Sequence, residues 1–345
     1  MSVKDELSLG LLGCGFFGRA LADGVSEVPG ARIHAVADTS PDAAAATGAK
    51  IGAQSTTPDQ LWQLRELDAV LIATPNDLHV QPVLAACEAG LHVFVEKPMA
   101  LTPGDCRLMI TAADAAGVQL VVGHILRTLP ASRRLKAIVD GGDLGAIHAA
   151  HGSLARWMPR ERGSNGWWKQ DSTRTGGELL HEIHILDLLC WLLGDVDEVA
   201  GLTRPGMSGL VLRYGDTLAT YELSTVHRLP SWGVQIHGSL GSASLDLRAG
   251  TLTVMTDNAR EVSGIYDDDD SDESLREYAN RPAGYNRAGA APALWMQRAI
   301  ALELAETLCI FRGSANSPLL QSPDRAIQVA HQLLPLPRHQ LPGGP

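Results

Sequence analysis

Three clusters in this 345-residue chain set reactive side chains at intervals that a fold can exploit. The first is "GCGFFG", a GxGxxG loop made by Gly13, Gly15 and Gly18 with Phe16 and Phe17 inside it. It follows an apolar run and opens a helical pattern. In that setting Gly13 permits a tight turn, Gly15 lets the backbone approach a pyrophosphate, and Gly18 allows close helix–strand packing. The helix N-terminus adds free N–H groups and a positive dipole end. Asp38 closes the next apolar run in "VAD", twenty residues past Gly18. A carboxylate there accepts hydrogen bonds from an adenosine ribose and repels a 2′-phosphate, which predicts NAD rather than NADP.

The second cluster is "FVEKPMALT", where Glu96, Lys97 and a proline stand directly behind an apolar run. Before it comes "ATPNDLH", where Ala73, Thr74, Pro75, Asn76 and His79 are candidate cofactor contacts; the alternative is that Asn76 and His79 simply begin a helix as capping residues. The third is "GGELLHEIHILDLLCWLLG". On one continuous helix its His181, His184 and Asp187 fall at i, i+3 and i+6 and share a face, whereas Glu182 is rotated by about 100° from His181. Two histidines at i, i+3 lack the i, i+4 spacing of a helical zinc pair, so no metal is expected. In the loop "RWMPRERGSNGWWKQDSTRTGG", Trp167 and Trp168 offer flat faces to sugar C–H groups, while Arg156, Lys169 and Asp171 can bind hydroxyls. A surface loop anchored by its tryptophans is the alternative.

Positioning these groups requires a particular succession of elements. Apolar runs at 7–12, 32–37, 69–73, 92–95 and 119–122 alternate with helical patterns at about 16–26, 41–48, 59–66, 78–89 and 103–116. Such alternation predicts βαβ units and a parallel sheet covered by helices on both faces. Asp38, Thr74–Asn76 and Glu96–Lys97 then all stand at carboxyl ends of strands, where one crevice collects them. After about residue 124 a helix at 130–140, a strand at 145–158 and a helix at 178–193 lead into alternating segments from 198 to 257. The glycine-bearing turns between those segments predict an open, mostly antiparallel sheet, giving an α/β part at 1–124 and an α+β part at 125–345. Helices are expected at 291–312 and 322–334, and residues 330–345 read as a flexible tail. The acidic run "DDDDSDES" reads as a solvated loop.

Composition limits the partners. A formal charge of −11 argues against nucleic acid, which needs clustered Lys and Arg. No stretch approaches the ~20 apolar residues of a membrane span, and the N-terminus lacks the features of a signal peptide. Five cysteines without CxxC spacing fit reduced thiols, so a cytoplasmic location is expected. The apolar outer face of the second sheet predicts a homodimer or homotetramer.

The glycine loop, "ATPNDLH", "EKPMALT", "VGHILRTLP", "LGAIHAA" and "HILDLLCWLLG" together resemble the signatures of the Gfo/Idh/MocA family, the glucose–fructose oxidoreductases and inositol dehydrogenases. The resemblance implies a Rossmann domain and NAD-dependent oxidation of a secondary alcohol on a sugar or polyol, or reduction of the matching ketone. It implies that Glu96 lies near the nicotinamide ribose and that Lys97 is the acid–base group. His184 matches the family's active-site histidine and Asp187 the acid one turn later. The family's aspartate four residues before that histidine is replaced by Leu180, with Glu182 at the usual glycine. A one-residue deletion aligns His181 with the aspartate and is the favoured reading. Without a deletion Glu182 supplies the carboxylate. Other chemistries open to the same fold are NAD-dependent glycoside cleavage, C=N or C=C reduction, and non-catalytic NAD sensing.

Overall fold

The computed structural model describes residues 6–157, 171–280 and 292–332. Six parallel strands form the first sheet: β1 (Leu7–Leu12), β2 (Ala31–Ala37), β3 (Gln54–Thr56), β4 (Ala69–Ile72), β5 (His92–Glu96) and β6 (Leu120–Gly123). Their spatial order is β3-β2-β1-β4-β5-β6. Every residue of β1 and β4 is buried, as two-sided helix cover requires. The order reverses between β1 and β4, which opens a crevice at their carboxyl ends. Helix boundaries are set locally. Ser40 caps the helix Pro41–Ile51 and Thr102 caps Pro103–Ala116, each helix beginning on proline and ending at a left-handed glycine, Gly52 or Gly117. The helix expected at 59–66 is a single turn, Pro58–Leu61, preceded by β3. A three-residue strand is too short to show a period.

The second sheet has eight strands: β7 (Ile147–Trp157), β8 (Glu198–Arg204), β9 (Met207–Tyr214), β10 (Thr217–Ser224), β11 (Val226–Gly238), β12 (Gly241–Asp246), β13 (Thr251–Thr256) and β14 (Arg260–Gly264). Their order is β14-β13-β12-β11-β7-β10-β9-β8, antiparallel throughout except for the β7–β10 pair. The helix His184–Leu193 lies on one face. A Cβ on Gly152 of β7 would stand 2.5 Å from Leu189 Cδ1, so the bare glycine lets helix and sheet approach. The opposite face leaves Leu202, Val211 and Leu218 exposed.

The helix Leu294–Phe311 returns to the first sheet. A Cβ on Gly24 would meet Ile300 Cγ2 at 2.7 Å, which shows how closely that helix packs on Phe16–Ser26. The acidic run is not a loop. Asp268 accepts from Ser271 N at 2.7 Å and caps the helix Asp269–Ala279, whose first turn carries Asp269 and Asp270, where the helix dipole favours negative charge. Asp272 is buried and accepts the N–H groups of Ile265 and Tyr266 at 2.9 Å each. Among the described residues no helix is long and apolar enough to cross a membrane.

Candidate active site

The glycine loop has three different requirements. Gly13 has φ +98°, and a Cβ there would lie 2.6 Å from Ala73 O. A Cβ on Gly18 would lie 1.7 Å from Gly13 O, so any larger residue pushes the helix off the strand. Gly15 has nothing within 4 Å of a would-be Cβ and opens the helix Phe16–Ser26 with no side chain capping it. Open space over an uncapped helix N-terminus suits a pyrophosphate. Asp38 is fixed beside it, its Oδ2 accepting from Cys14 N at 2.7 Å and its Oδ1 from Ser40 N at 2.8 Å. These features fit a dinucleotide.

Past β4 the structure redistributes the expected contacts. Ala73 backs onto Gly13, and Thr74 Oγ1 donates to Leu78 O at 3.3 Å. Asn76 is buried and donates through Nδ2 to Thr175 O at 3.3 Å. His79 was expected to touch cofactor, yet it is wholly buried, with Nδ1 2.9 Å from Pro98 O and Nε2 3.0 Å from Thr74 O. Its ring clamps this turn to the loop after β5. The Lys97–Pro98 peptide is cis.

The expected helix 178–193 is two helices, Glu178–His181 and His184–Leu193, separated at Glu182 with φ −105° and ψ 35°. The break turns the buried Glu182 side chain to Arg156 on β7, whose Nη2 lies 2.5 Å from Oε1. His181, favoured by the sequence for the carboxylate's place, meets Lys97 through its backbone: Lys97 Nζ donates to His181 O at 2.9 Å. Burial alone would raise the Glu182 carboxyl, but Arg156, followed by His181, Lys97 and His184, holds it at about 2. Burial lowers the Lys97 ammonium, opposed by Glu182 and Glu96 and reinforced by Arg156. His184 is held well below the ordinary histidine value by burial and then by Lys97. Near neutrality this places an anionic Glu182, a neutral His184 and an amine of weakened basicity together.

Asp187 does not face this opening. It is 1% exposed; Arg127 Nε donates to its Oδ2 at 2.8 Å, Arg127 Nη2 to Oδ1 at 2.5 Å, and His124 Nδ1 stands 3.2 Å from Oδ2. A bidentate arginine leaves the carboxylate little capacity for a sugar. Arg127 also donates through Nη1 to Pro318 O and Gln321 O, so the pair ties the second helix to the C-terminal segment. Trp167, Trp168 and Lys169 lie outside the described residues. Asp171 caps the turn Ser172–Thr175. Three groups had no role in the sequence reading. Arg127 and His124 sit in "VGHILRTLP", where an arginine within an apolar segment was the available signal. Tyr221 is 1% exposed, pairs in register with Gly152, and interacts electrostatically with Glu182 and Arg156.

A crevice built on a glycine loop, an anchored strand-end aspartate and an enclosed lysine defines a nucleotide-dependent oxidoreductase. The chain belongs to the Gfo/Idh/MocA family. Residues 7–124 match the model of the oxidoreductase family with an NAD-binding Rossmann fold, and residues 132–244 match the GFO/IDH/MocA C-terminal domain. An uncharacterized oxidoreductase of Streptococcus pneumoniae serotype 4 is 30% identical over 328 residues, covering 89% of this chain and 88% of that protein. The 2,7-anhydro-N-acetylneuraminate hydratase of Mediterraneibacter gnavus is 28% identical over 306 residues, covering 83% and 81%. Levoglucosan dehydrogenase in complex with NADH and levoglucosan has the same fold, with TM-score 0.78 at 20% identity over 95% of this chain and 96% of that one.

Proposed function

We propose that this NAD-binding oxidoreductase oxidises a secondary alcohol of a sugar, polyol or anhydro sugar, or reduces the matching ketone, using Lys97 and His184 as its acid–base pair. The observation that carries the reading is the meeting of Lys97, Glu182, Arg156 and His184 at the carboxyl end of β5. Bound NAD supplies the hydride acceptor for the carbinol carbon. Asp38 holds the adenosine ribose, and the loop from Gly13 to Gly18 holds the pyrophosphate. The turn from Ala73 to Asn76 lines the same crevice. Lys97 takes the hydroxyl proton on Nζ, which requires a neutral amine, and its removal from water acts in that direction. His184 holds the same oxygen or relays its proton. Glu182 stabilises the ammonium formed on Lys97, with Arg156 fixing the carboxylate; Trp168 and Lys169 are assigned to the substrate. Names of relatives that include an anhydro-sugar hydratase and levoglucosan dehydrogenase support a cyclic sugar substrate.

The hydratase relative favours a second course on the same residues, reversible oxidation without net change of NAD. One experiment separates them. Purified protein with NAD is offered myo-inositol, hexoses, levoglucosan and 2,7-anhydro-N-acetylneuraminate, and 340 nm absorbance is followed while products are identified by NMR. A dehydrogenase accumulates NADH and ketone in equal amounts. Conversion of substrate without NADH establishes the second course, and no conversion with any member of the panel refutes both.

A further inference from the structure

Two short turns, one from each half of the chain, meet beside the crevice. One is Asn76–Leu78, which follows the stretch from Ala73 to Pro75. The other is Ser172–Thr175, which precedes the helix Glu178–His181. Arg174 donates from Nε to Asp77 Oδ2 at 2.9 Å and from Nη2 to Asp77 Oδ1 at 3.3 Å. Beside this fork the buried Asn76 donates to Thr175 O at 3.3 Å. A lone exposed ion pair contributes little. Here a two-point arginine contact fixes direction as well as distance, and a second hydrogen bond runs alongside it.

These contacts close a circuit that passes through Lys97. Two residues beyond Asp77, the His79 ring holds Nδ1 2.9 Å from Pro98 O, and Pro98 follows Lys97. Lys97 Nζ donates to His181 O at 2.9 Å. From His181 the helix runs back to Gly177 and Gly176, with φ +88° and +76°, and then to Thr175 and Arg174. The two glycines carry no side chain that could hold this segment. The helix is tied on one side by Glu178, whose Oε2 accepts from Gly206 N at 2.8 Å. Past the glycine pair, the Arg174 fork ties it to the first sheet's side of the crevice.

We propose that Arg174 and Asp77 are positioning residues for Lys97: their ion pair holds the helix Glu178–His181 against the end of β5, so that Lys97 Nζ stays on His181 O. The consequence for turnover rests on Lys97 being the acid–base group of the proposed reaction; the positioning itself does not.

The test reads Lys97 directly in the full chain. Brief labelling with acetic anhydride near pH 8 is followed by mass spectrometry of the Lys97 peptide, with the exposed Lys50 as internal reference. Arg174→Gln and Asp77→Asn each raise Lys97 labelling about tenfold, as for a local opening, with Tm within a few degrees of the parent. The double variant adds less than about twofold to either single one, because the two residues act as one unit. Arg174→Lys keeps the charge and stays within about threefold of the parent. For any sugar that is turned over, the Gln and Asn variants lower kcat about tenfold, with KM changed less than about threefold. Unchanged labelling in either single variant, additive effects in the double variant, equal effects of Lys and Gln at Arg174, or unchanged kcat each overturns the proposal. If the Gln and Asn variants do not fold, Arg174→Lys decides, since it should still label faster than the parent, and labelling equal to the parent's refutes the clamp. Full turnover by Lys97→Ala refutes the acid–base assignment and leaves the labelling result standing, so the two failures are told apart.

Discussion

Replacing Glu182 with Gln keeps the side chain's shape and removes the charge that Arg156, Lys97 and His184 surround. A carboxyl held at about 2 rather than 4.5 contributes about 3 kcal/mol at neutral pH, at ~1.4 kcal/mol per pH unit. The Glu182 side chain is 10% exposed and that of Arg156 18%, so solvent screening takes little from this figure. The sign follows from the depressed value. The contribution is complete above the unfolded pKa of about 4.5 and is lost as pH falls through about 2. Urea unfolding of parent and variant should therefore differ by about 3 kcal/mol near pH 7, and the gap should close as the pH falls below about 4. An equal gap at every pH refutes the ion-pair origin of the effect. The same variant should lose on the order of 10² in kcat/KM, against less than about tenfold for His181→Ala, whose backbone carbonyl still meets Lys97. The reverse order restores His181 to the carboxylate's place.

Lys97→Ala should lower kcat by roughly 10² to 10⁴ with near-normal NADH binding; turnover within a few-fold of the parent shows that the base lies elsewhere. The parent should prefer NAD to NADP by at least about tenfold in kcat/KM, and Asp38→Ser should narrow that gap. Because Asp38 also accepts from Cys14 N and Ser40 N, the serine variant should also bind NADH more weakly; an unchanged preference removes Asp38 from cofactor selection. Tyr221 Oη is buried without a hydrogen-bond partner among the described residues, a situation costing ~1–3 kcal/mol. Tyr221→Phe should therefore leave Tm unchanged or raise it, and calorimetry showing a clear loss contradicts this.

The first sheet was legible because its signals are local. The five longer strands are short apolar runs, the helices Pro41–Ile51 and Pro103–Ala116 carry their own capping side chains, and the glycine loop states its φ and packing needs within six residues. The second sheet was legible in class, since alternation reports one buried face, but the parallel β7–β10 pairing joins strands about seventy residues apart, and nothing within either strand specifies it. Helices misjudged from sequence failed in the same way. "DDDDSDES" has the charge of a loop, and only the backbone N–H groups of Ile265 and Tyr266 make its Asp272 a buried acceptor.

The break at Glu182 has the same origin and matters most for the chemistry. Read alone, "ELLHEIHILDLL" is a good helix with His181, His184 and Asp187 on one side. The two charges that divide its residues come from elsewhere: Arg156 is 26 positions upstream and takes Glu182, while Arg127 is 60 positions upstream and takes Asp187. A buried carboxylate must find its cation, and these cations stand on different elements, Arg156 on β7 and Arg127 in the turn Ile125–Thr128. The chain leaves helical geometry at Glu182, between the two anchored positions, and that residue acts on Lys97. Restoring a continuous helix would carry Glu182 away from Arg156, so the departure from local helix preference and the assembly of the site are one event.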